Sequence, residues 1–410
     1  MKNSRSPLFT IFLTVFIDML GVGIIIPVLP ALFFEPETSI VPLSMSDEYR
    51  SFLYGALLGV FPLMQFFGAP MLGSLSDRYG RKPVLLVTQA GTFFGYLLLA
   101  VAILWQNIPL LFISRMIPGF TGGNIAVILS SIADVSDDKD KARNFGLVGM
   151  AFGIGFILGP TLGGVLADET IVSWFTASTP FWFTAILTAF NVLFIIYAFP
   201  ETLKQRRTVA VNPFTGFRNL AVSFGTPNLR RIFIVVLLLS LGFTFFTQFY
   251  SVYLIQDFSY SEKDIGFLFG WVGIWLALTQ GVLVRFLGKR FPPQRILTYS
   301  MLALSASLIF VLLPDTTLGL YMLNPLIAIA QGITSPNLTA TISMQANENQ
   351  QGEILGINQS MQSLGQLIPS LVGGYLITFF SSLPIIVGSG LVLAGWIVFI
   401  VFFGRQKEKS

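Results

Sequence analysis

Two formal charges lie deep within long apolar runs of this sequence, and they have the clearest capacity for chemistry. Asp18 stands in the first run and Arg115 in a later one. Ionisable groups in lipid are costly and generally face a cavity or a partner. The sequence has no histidine, the side chain whose unperturbed pKa lies nearest neutrality. Proton chemistry must therefore use a carboxylate, so Asp18 is the proton-coupling candidate and Arg115 its candidate partner. A purely structural salt bridge between the two is the alternative.

A second group of charges follows the second apolar run. The sequence there reads Gly73-Ser-Leu-Ser-Asp77-Arg78-Tyr-Gly80-Arg81-Lys82-Pro83. It predicts a polar loop with a tight turn at Gly80, a carboxylate at Asp77 and a basic cluster at the membrane surface. Asp77 is expected to accept backbone donors at a helix N-terminus, where the helix dipole favours negative charge. We interpret the group as a cytoplasmic gate; the alternative is that its basic residues only anchor the membrane topology.

A row of small residues occupies a later apolar run. Its members are Gly155, Gly159, Pro160, Gly163 and Gly164. Glycines four positions apart lie on one face of a helix and allow a neighbouring helix to approach closely. Pro160 is expected to add a kink. Ordinary packing of small residues is the alternative to a role in transport, and the two interpretations are compatible.

Amide side chains are concentrated in the apolar runs of the second half. The candidates for substrate binding are Gln248, Tyr250, Gln331, Asn337, Gln359, Gln362 and Gln366. Gln359, Gln362 and Gln366 are spaced i, i+3, i+7 and share a helix face. With aromatic residues nearby in the sequence, they predict an apolar pocket with a few polar anchors. Hydrogen bonding between helices is the alternative explanation for each amide.

The elements that must position these residues are transmembrane helices. Hydrophobic residues make up 54% of the sequence and charged residues 11%, whereas a soluble domain carries roughly 25% charged residues. A helix needs about 20 mostly apolar residues to cross a bilayer. Suitable runs lie near 8–33, 51–73, 84–105, 110–133, 145–167, 180–199, 232–255, 265–287, 296–314, 318–345, 354–380 and 383–403. The predicted fold is all-α, a polytopic membrane protein with twelve transmembrane helices.

The basic residues predict how these helices are oriented. Of the 24 Lys and Arg residues, all except Arg50, Arg115 and Lys263 fall in segments that are cytoplasmic if the N-terminus is inside. This distribution satisfies the positive-inside rule and predicts that both termini are cytoplasmic. The net charge of +4 is then a signal of topology and of contact with the lipid bilayer. No nucleic-acid partner is expected.

The chain is predicted to form two pseudo-symmetric halves of six helices each. The predicted boundaries are 1–200 for the first bundle, 201–231 for a cytoplasmic linker and 232–410 for the second bundle. Glycines of the first half recur 210 positions later, as Gly163 does at Gly373. Two parallel repeats of this kind are a known transporter architecture. Helical spacing of apolar residues around Phe214 predicts a short interfacial helix in the linker, with a disordered linker as the alternative.

Signatures of other protein classes are not found in the sequence. It contains no cysteine, so neither disulfides nor thiolate metal sites are expected. It lacks the HExxH and Gly-x-Ser-x-Gly patterns of common hydrolases, so no enzyme activity, metal or cofactor is expected. A channel is disfavoured, because two homologous six-span halves suit a rocking motion better than a pore.

These motifs resemble those of the major facilitator superfamily over nearly the whole chain, and within it the tetracycline-efflux branch of the drug/proton antiporters. The loop from Gly73 to Pro83 resembles the superfamily signature, and "FGIGFILGPTLGG" resembles the antiporter signature. The resemblance implies export of small hydrophobic compounds from a bacterial cytoplasm in exchange for protons, by a monomer in the inner membrane. It also implies that Asp77, Arg81 and Asp134 form a charge cluster in the outward-open state.

The sequence departs from the tetracycline pumps at three points. Gly95 stands where they carry an acidic residue in the third span, and no acid occurs in the ninth span before Asp315. The histidine that some of them carry in the eighth span has no counterpart here. These differences disfavour recognition of a magnesium–tetracycline complex. A major facilitator transporter of sugars, lipids or siderophores is the alternative.

Overall fold

Long helices account for most of the molecule, and they group into twelve spans. The computed structural model describes residues 5–35, 38–42, 44–136, 138–203, 227–343 and 351–403, and also 212, 214, 215, 217, 218, 221 and 225. Spans 1 to 6 are Arg5–Phe34, Asp47–Tyr79, Arg81–Leu104, Ile108–Val135, Asp138–Ala167 and Thr179–Ala198. Spans 7 to 12 are Pro227–Phe258, Glu262–Gly288, Pro293–Phe310, Thr317–Ser343, Gln351–Leu376 and Leu383–Phe403. The predicted all-α, twelve-span architecture is confirmed.

Ten of the spans in the described part of the chain are long and apolar enough, by length and composition, to cross a membrane. The other two, spans 9 and 11, carry more polar side chains. Span 11 contains Gln359, Gln362 and Gln366 within a helix of 26 residues. These amides lower its hydropathy, which is consistent with a helix that turns one face away from lipid.

The observed helix ends differ most from the prediction between spans 2 and 3. Span 2 continues to Tyr79 and span 3 begins at Arg81, so the segment predicted as a loop is largely helical. Gly80 alone separates the two helices, with a φ of 113°. This left-handed conformation favours glycine, which has no Cβ. The tight turn at Gly80 is therefore found as predicted.

Two spans contain a local change of helix type. Span 4 passes through a 3-10 turn at Gly122–Asn124, and span 8 contains a π-helical turn at Thr279–Leu283. Such turns inside a long helix are frequent at functional sites. The turn in span 4 proves to hold a residue of the candidate site.

The first compact unit comprises the described residues of Met1–Met45, Val60–Thr215 and Ser261–Gly270. In this unit span 1 packs along spans 5 and 6, and span 3 packs along spans 4 and 6. An apolar cluster of this unit includes Ile11, Leu72, Val127 and Ile132, which are all buried. The helices that carry Asp18, Arg115 and Arg81 are therefore packed against one another in a single unit.

The second compact unit comprises the described residues of Ser46–Gly59, Gly216–Tyr260 and Trp271–Ser410. Here span 7 packs along spans 11 and 12, and span 9 packs along spans 10 and 12. These are the helix pairs of the first unit with each span number raised by six. The internal repeat predicted from the glycines therefore extends to the helix packing within each unit.

The recurring glycines occupy equivalent positions in the two units. A Cβ on Gly163 would lie 2.7 Å from the carbonyl oxygen of Ile24 in span 1. A Cβ on Gly373 would lie 2.1 Å from the ring of Phe249 in span 7. Both positions need glycine because the facing helix comes too close for a side chain.

The predicted division into 1–200, 201–231 and 232–410 stays a prediction. The compact units place 46–59 with the second half of the chain and 261–270 with the first. Most of the interfacial helix predicted in the linker falls outside the described residues.

Candidate functional site

The carboxylate of Asp18 accepts hydrogen bonds from two amide side chains. Nε2 of Gln89, on span 3, lies 3.0 Å from Oδ1 and 3.1 Å from Oδ2 of Asp18. Nδ2 of Asn124, in the 3-10 turn of span 4, lies 2.9 Å from Oδ2. Both amides are buried, while Asp18 itself is only partly buried. The carboxylate thus links spans 1, 3 and 4.

The turn in span 4 that carries Asn124 depends on the glycines before it. A Cβ on Gly123 would lie 2.5 Å from the backbone of Ala69 in span 2. A Cβ on Gly68 would lie 2.1 Å from the carbonyl oxygen of Phe120. Spans 2 and 4 therefore meet backbone to backbone, and this contact holds the turn where Asn124 can reach Asp18.

A third buried amide extends the network to span 6. Nδ2 of Asn191 donates to Oε1 of Gln89 at 3.2 Å and to Oγ1 of Thr14 at 3.2 Å. Because the two ends of an amide differ in donor and acceptor character, Asn191 orients Gln89 with its NH2 group towards Asp18. The polar network is therefore continuous across spans 1, 3, 4 and 6.

Arg115 does not form the expected contact with Asp18. No ion pair joins the two in the described part of the chain. The guanidinium of Arg115 instead lies 4.8 Å from the ring centroid of Phe61, and its buried Nε has no hydrogen-bond partner among the described residues. The sequence could not predict this outcome, because the contacts of Asp18 depend on how spans 1, 3 and 4 rotate against one another.

The gate residues Asp77, Arg81 and Asp134 come together in the first unit. Nη1 of Arg81 lies 2.7 Å from Oδ1 of Asp77, and Nε lies 3.0 Å from Oδ2 of Asp134. Nη1 also donates to the hydroxyl of Ser76 at 2.6 Å. The side chain of Arg81 is only 6% exposed, so these pairs are more strongly coupled than ion pairs on a surface.

Asp77 is not the carboxylate that caps a helix, contrary to the prediction. Glu201, just beyond span 6, accepts from the backbone N–H of Arg81 at 2.9 Å and of Lys82 at 3.2 Å. These are the first N–H groups of span 3, which have no partner within the helix. Asp77 lies one turn before Arg81 and pairs with the Arg81 side chain instead. A Cβ on Gly80 would lie 2.4 Å from Glu201.

The two remaining gate candidates lie outside the Arg81 cluster. Arg78 is exposed and its guanidinium lies 5.3 Å from the ring centroid of Tyr79. Gly73 faces span 4, where a Cβ would meet Ala126 at the ordinary distance of 3.8 Å. Neither residue forms a hydrogen bond or ion pair with Asp77 or Asp134 in the part of the chain that the structure describes.

The glycines of span 5 form the predicted stripe of close approach, and the neighbouring helix is span 1. A Cβ on Gly155 would lie 2.8 Å from the carbonyl oxygen of Phe16, and one on Gly159 would lie 2.6 Å from that of Leu20. Gly163 continues the stripe one turn later. Close approach of this kind replaces side-chain packing with backbone contact. The stripe therefore fixes span 1, which carries Asp18, directly on span 5.

A second face of span 5 meets the beginning of span 8. A Cβ on Gly164 would lie 2.5 Å from the carbonyl oxygen of Glu262, and one on Gly266 would lie 2.6 Å from that of Pro160. Nearby, Nζ of Lys263 lies 3.1 Å from Oδ2 of Asp168. The pKa of Asp168 lies below its ordinary value because Thr170 donates to the carboxylate, with a further contribution from Lys263. Pro160, where a kink is predicted, lies within a helix that is continuous from Asp138 to Ala167.

Three of the predicted substrate residues line one cavity of the second unit. The cavity measures about 200 Å³ and includes Gln331, Gln362 and Gln366. Its apolar walls come from residues such as Leu239 and Phe243. Pockets for small molecules combine apolar walls with a few polar anchors, and the lining of this cavity has that composition.

The other substrate candidates lie elsewhere. Gln248 accepts from the hydroxyl of Ser370 at 2.7 Å, and the hydroxyl of Tyr250 accepts from Asn324 at 2.7 Å. Asn337 donates to a backbone carbonyl of its own helix, and Gln359 is partly buried without lining this cavity. The first two serve as connections between helices, the alternative considered for the amides.

Sequence reasoning missed the residues that hold the candidate groups. Gln89 and Asn124 hold Asp18, Asn191 orients Gln89, and Glu201 accepts from the backbone of Arg81. Each is a polar side chain within or beside an apolar run of the first half. Amides are proposed as candidates from the sequence only in the second half, and the same criterion applied to the first half identifies three of these four residues.

Comparisons with known proteins agree with this architecture. The family model described as Major Facilitator Superfamily matches residues 11–368 and 232–410. The tetracycline resistance protein of class C from Escherichia coli is 32% identical over 95% of this chain and 96% of its own length. The quinolone resistance protein NorA from Staphylococcus aureus is 28% identical over 96% of each chain.

A solved structure extends the agreement to the fold. The crystal structure of a D-xylose–proton symporter superposes with a TM-score of 0.79 at 15% identity, covering 96% of this chain and 97% of the symporter. At that identity the likeness concerns the fold alone. The family match and the class C relative show, in addition, which family the chain belongs to. The chain therefore belongs to the Major Facilitator Superfamily, as a multi-pass membrane transporter of the branch that includes the tetracycline resistance proteins.

Proposed function

We propose that this transporter exports small, largely hydrophobic compounds from the bacterial cytoplasm in exchange for protons. The observation that carries the proposal is the carboxylate of Asp18, held by Gln89 and Asn124 inside the helices of the first unit. Ionisable residues at such positions in membrane proteins generally mark proton or substrate pathways. The relatives named for tetracycline and quinolone resistance support export of drugs.

The contacts of Asp18 suggest how a proton would act. A carboxylate has acceptor sites for all the N–H groups that face it, whereas a protonated carboxyl group also carries a donor. A proton on an oxygen that accepts from Gln89 or Asn124 would compete with their N–H groups, so we expect protonation to rearrange the amides. The linkage between spans 1, 3 and 4 would weaken, and the relative stability of two transporter conformations would change. Alternating access needs a coupling of this kind.

Arg115 would contribute to coupling without pairing directly with Asp18. Arg115 is buried in the same unit as Asp18, and a nearby positive charge favours the charged form of a carboxylate. A Cβ on Gly21, one turn after Asp18, would lie 2.1 Å from the Tyr96 hydroxyl. Glycine at this position therefore leaves room for Tyr96 beside span 1.

We propose that the cavity of the second unit accommodates only part of the substrate. About 200 Å³ is available, below the roughly 300–1,000 Å³ of typical sites for drug-sized ligands. In the first unit, a Cβ on Gly95 would lie 2.6 Å from Pro118. There is no room for the acid that tetracycline pumps carry there, which favours hydrophobic substrates over a magnesium–tetracycline complex. A transporter of sugars, lipids or siderophores remains the alternative.

The Arg81 cluster is proposed to act as a cytoplasmic gate that opens and closes during the transport cycle. Arg81 connects the end of span 2 through Asp77 with the end of span 4 through Asp134. Glu201 adds the end of span 6. A rearrangement of the end of span 2 or span 4 would be transmitted through the Arg81 side chain, and one of span 6 through the backbone at the start of span 3.

The proposed location is the bacterial inner membrane, with both termini in the cytoplasm and the chain acting as a monomer. The distribution of basic residues supports this orientation. Because the chain has no cysteine, Asn107→Cys and Ser410→Cys can be labelled individually with an impermeant thiol reagent. We expect labelling of the first but not of the second in intact cells, and the opposite pattern would refute the topology.

The exchange mechanism is tested by Asp18→Asn, which retains the size and one acceptor oxygen but cannot change its charge. Substrate-induced proton release from everted vesicles is measured beside substrate binding to the purified protein. We expect binding to persist and proton-driven transport to be lost. Asp315→Asn, an exposed carboxylate beyond span 9, serves as the matched control. Transport and coupling at wild-type rates in Asp18→Asn would contradict the mechanism and make Asp134 the next candidate.

A further inference from the structure

A groove on the second unit has a basic end and an apolar length, and the proposed transport mechanism does not use it. It measures about 440 Å³ and is lined by the end of span 8, by span 9 and by Ile333 of span 10. Arg295 lies in its wall near the start of span 9, and Ala303 lies two turns further along the same helix. At 1.5 Å per residue the groove follows span 9 for about 12 Å.

The charged residues of the segment that lines most of this groove are of one sign. Arg285, Lys289, Arg290 and Arg295 occur between Asp264 and Asp315 without an intervening acidic residue. None of these four residues belongs to an ion pair observed in the described chain. This segment therefore gives the groove a positive end, at the side of the membrane that the proposed topology places in the cytoplasm.

Two of the guanidinium groups are held by neighbouring rings. The guanidinium of Arg290 lies 4.2 Å from the ring centroid of Phe286, and that of Arg295 lies 5.2 Å from that of Phe291. Contact with a ring face engages the charge but does not use the in-plane N–H donors. Both groups thus remain suited to an oxyanion, and Arg295 is positioned at the groove itself.

The rest of the lining is suited to a hydrocarbon chain. Leu287, Phe291, Ile296 and Ala303 provide apolar surface along the groove. Tyr299 is 67% exposed beside them, and its ring and hydroxyl suit the boundary between headgroups and acyl chains. The combination of a cationic end and an apolar length matches a phospholipid better than a compact polar solute.

We propose that this groove binds an anionic phospholipid of the cytoplasmic leaflet, with the phosphate at Arg295 and one acyl chain along span 9 towards Ala303. A zwitterionic lipid would bring its own cation to the basic end, so an anionic headgroup is preferred. A basic residue near a membrane surface contributes about 1 kcal/mol to the binding of anionic lipid. That value corresponds to about fivefold in affinity.

The proposal is tested by native mass spectrometry of the purified full chain in detergent, titrated with phosphatidylglycerol or phosphatidylcholine of identical acyl chains. We expect the wild-type protein to retain phosphatidylglycerol preferentially. Arg295→Gln should lower that preference about fivefold, and Arg295→Lys should largely restore it. Arg218→Gln removes one exposed positive charge from the linker and should leave the preference unchanged.

A second variant separates the acyl chain from the headgroup. Ala303→Phe fills the apolar part of the groove without altering any charge, so binding of both lipids should fall. Elution as a single species and a wild-type thermal transition show that each variant is folded. The proposal is overturned if Arg295→Gln and Arg218→Gln have equal effects, or if Ala303→Phe binds lipid like the wild type. It is equally overturned if a second copy or a transported drug, and not phospholipid, occupies the groove of the wild-type protein.

Discussion

Gln89 donates to both oxygens of Asp18, at 3.0 and 3.1 Å, from a helix that is separated from span 1 by a whole span in the sequence. The same amide accepts from Asn191 through its oxygen, so its orientation is determined from the other side. Asp18 is thus neither a lone charge in lipid nor half of a salt bridge. Its charged form depends on neutral donors whose positions are set by the packing of the first unit.

Removal of the Gln89 amide should impair transport more than removal of a comparable amide elsewhere. Gln89→Ala deletes donors to a charged group, and such bonds contribute about 1.5–3 kcal/mol each. We expect proton-driven transport in everted vesicles to fall at least tenfold. Gln65→Ala, which deletes a bond to the neutral carbonyl of Gly122, is the control and should have a smaller effect. Equal rates for the two variants would exclude a special role for Gln89.

The glycine stripe of span 5 allows a matched comparison within one helix. A Cβ on Gly159 would lie 2.6 Å from a backbone oxygen of span 1, whereas a Cβ on Gly153 would meet nothing within 4 Å. Gly159→Ala should lower the thermal stability of the purified protein, because overpacking costs about 1–3 kcal/mol. Gly153→Ala should be neutral or stabilising by up to about 1 kcal/mol. A stable, active Gly159→Ala protein would show that spans 1 and 5 separate easily.

Glu201 is predicted to stabilise the start of span 3, although it is not part of the signature loop. Glu201→Ala removes the acceptor for two backbone N–H groups, and loss of such a cap costs about 1 kcal/mol. Thermal unfolding should therefore begin at a lower temperature, with Glu201→Gln intermediate because one acceptor oxygen remains. Glu169→Ala, at an exposed position, provides the baseline. If Glu201→Ala unfolds like Glu169→Ala, another group must cap span 3.

The cavity glutamines should determine which compounds are exported. Gln362→Ala removes one polar anchor, and a hydrogen bond of about 0.5–1.5 kcal/mol corresponds to a change of about two- to tenfold in the affinity for compounds that use it. Growth-inhibition profiles in a pump-deleted bacterium should therefore change selectively. Gln256→Ala, exposed near the end of span 7, should preserve the wild-type profile. Uniform loss of resistance to every compound, with a collapsed proton response, would place Gln362 in the coupling machinery instead.

Several features followed from local sequence patterns because their physical cause is local. An apolar run long enough to cross a bilayer must become a helix in lipid, since every backbone group needs an internal partner. Glycines four apart must share a helix face, and the structure places Gly155 and Gly159 on one neighbour as expected. The turn at Gly80 followed for the same reason, because only glycine adopts its backbone conformation without strain.

The partners of the charged groups could not be obtained in this way. Whether Asp18 meets Arg115 or Gln89 depends on how spans 1, 3 and 4 are rotated relative to one another. That rotation cannot be deduced from residue spacing along one helix. The same holds for Glu201, which reaches the start of span 3 from the end of span 6.

The sequence by itself determined that the helices of this protein lie in lipid. It also determined the number and type of the helices, the internal repeat and the residues capable of chemistry. The reason is that hydropathy, helical periodicity and backbone conformation act within a single span. Only the tertiary structure decided that Gln89 and Asn124 hold Asp18 while Asn191 orients Gln89. It also decided that Arg115 lies over Phe61 and that three of seven polar candidates share a cavity. Those outcomes depend on contacts between spans that are distant in the chain, where backbone contact at a few glycines sets which side chains meet.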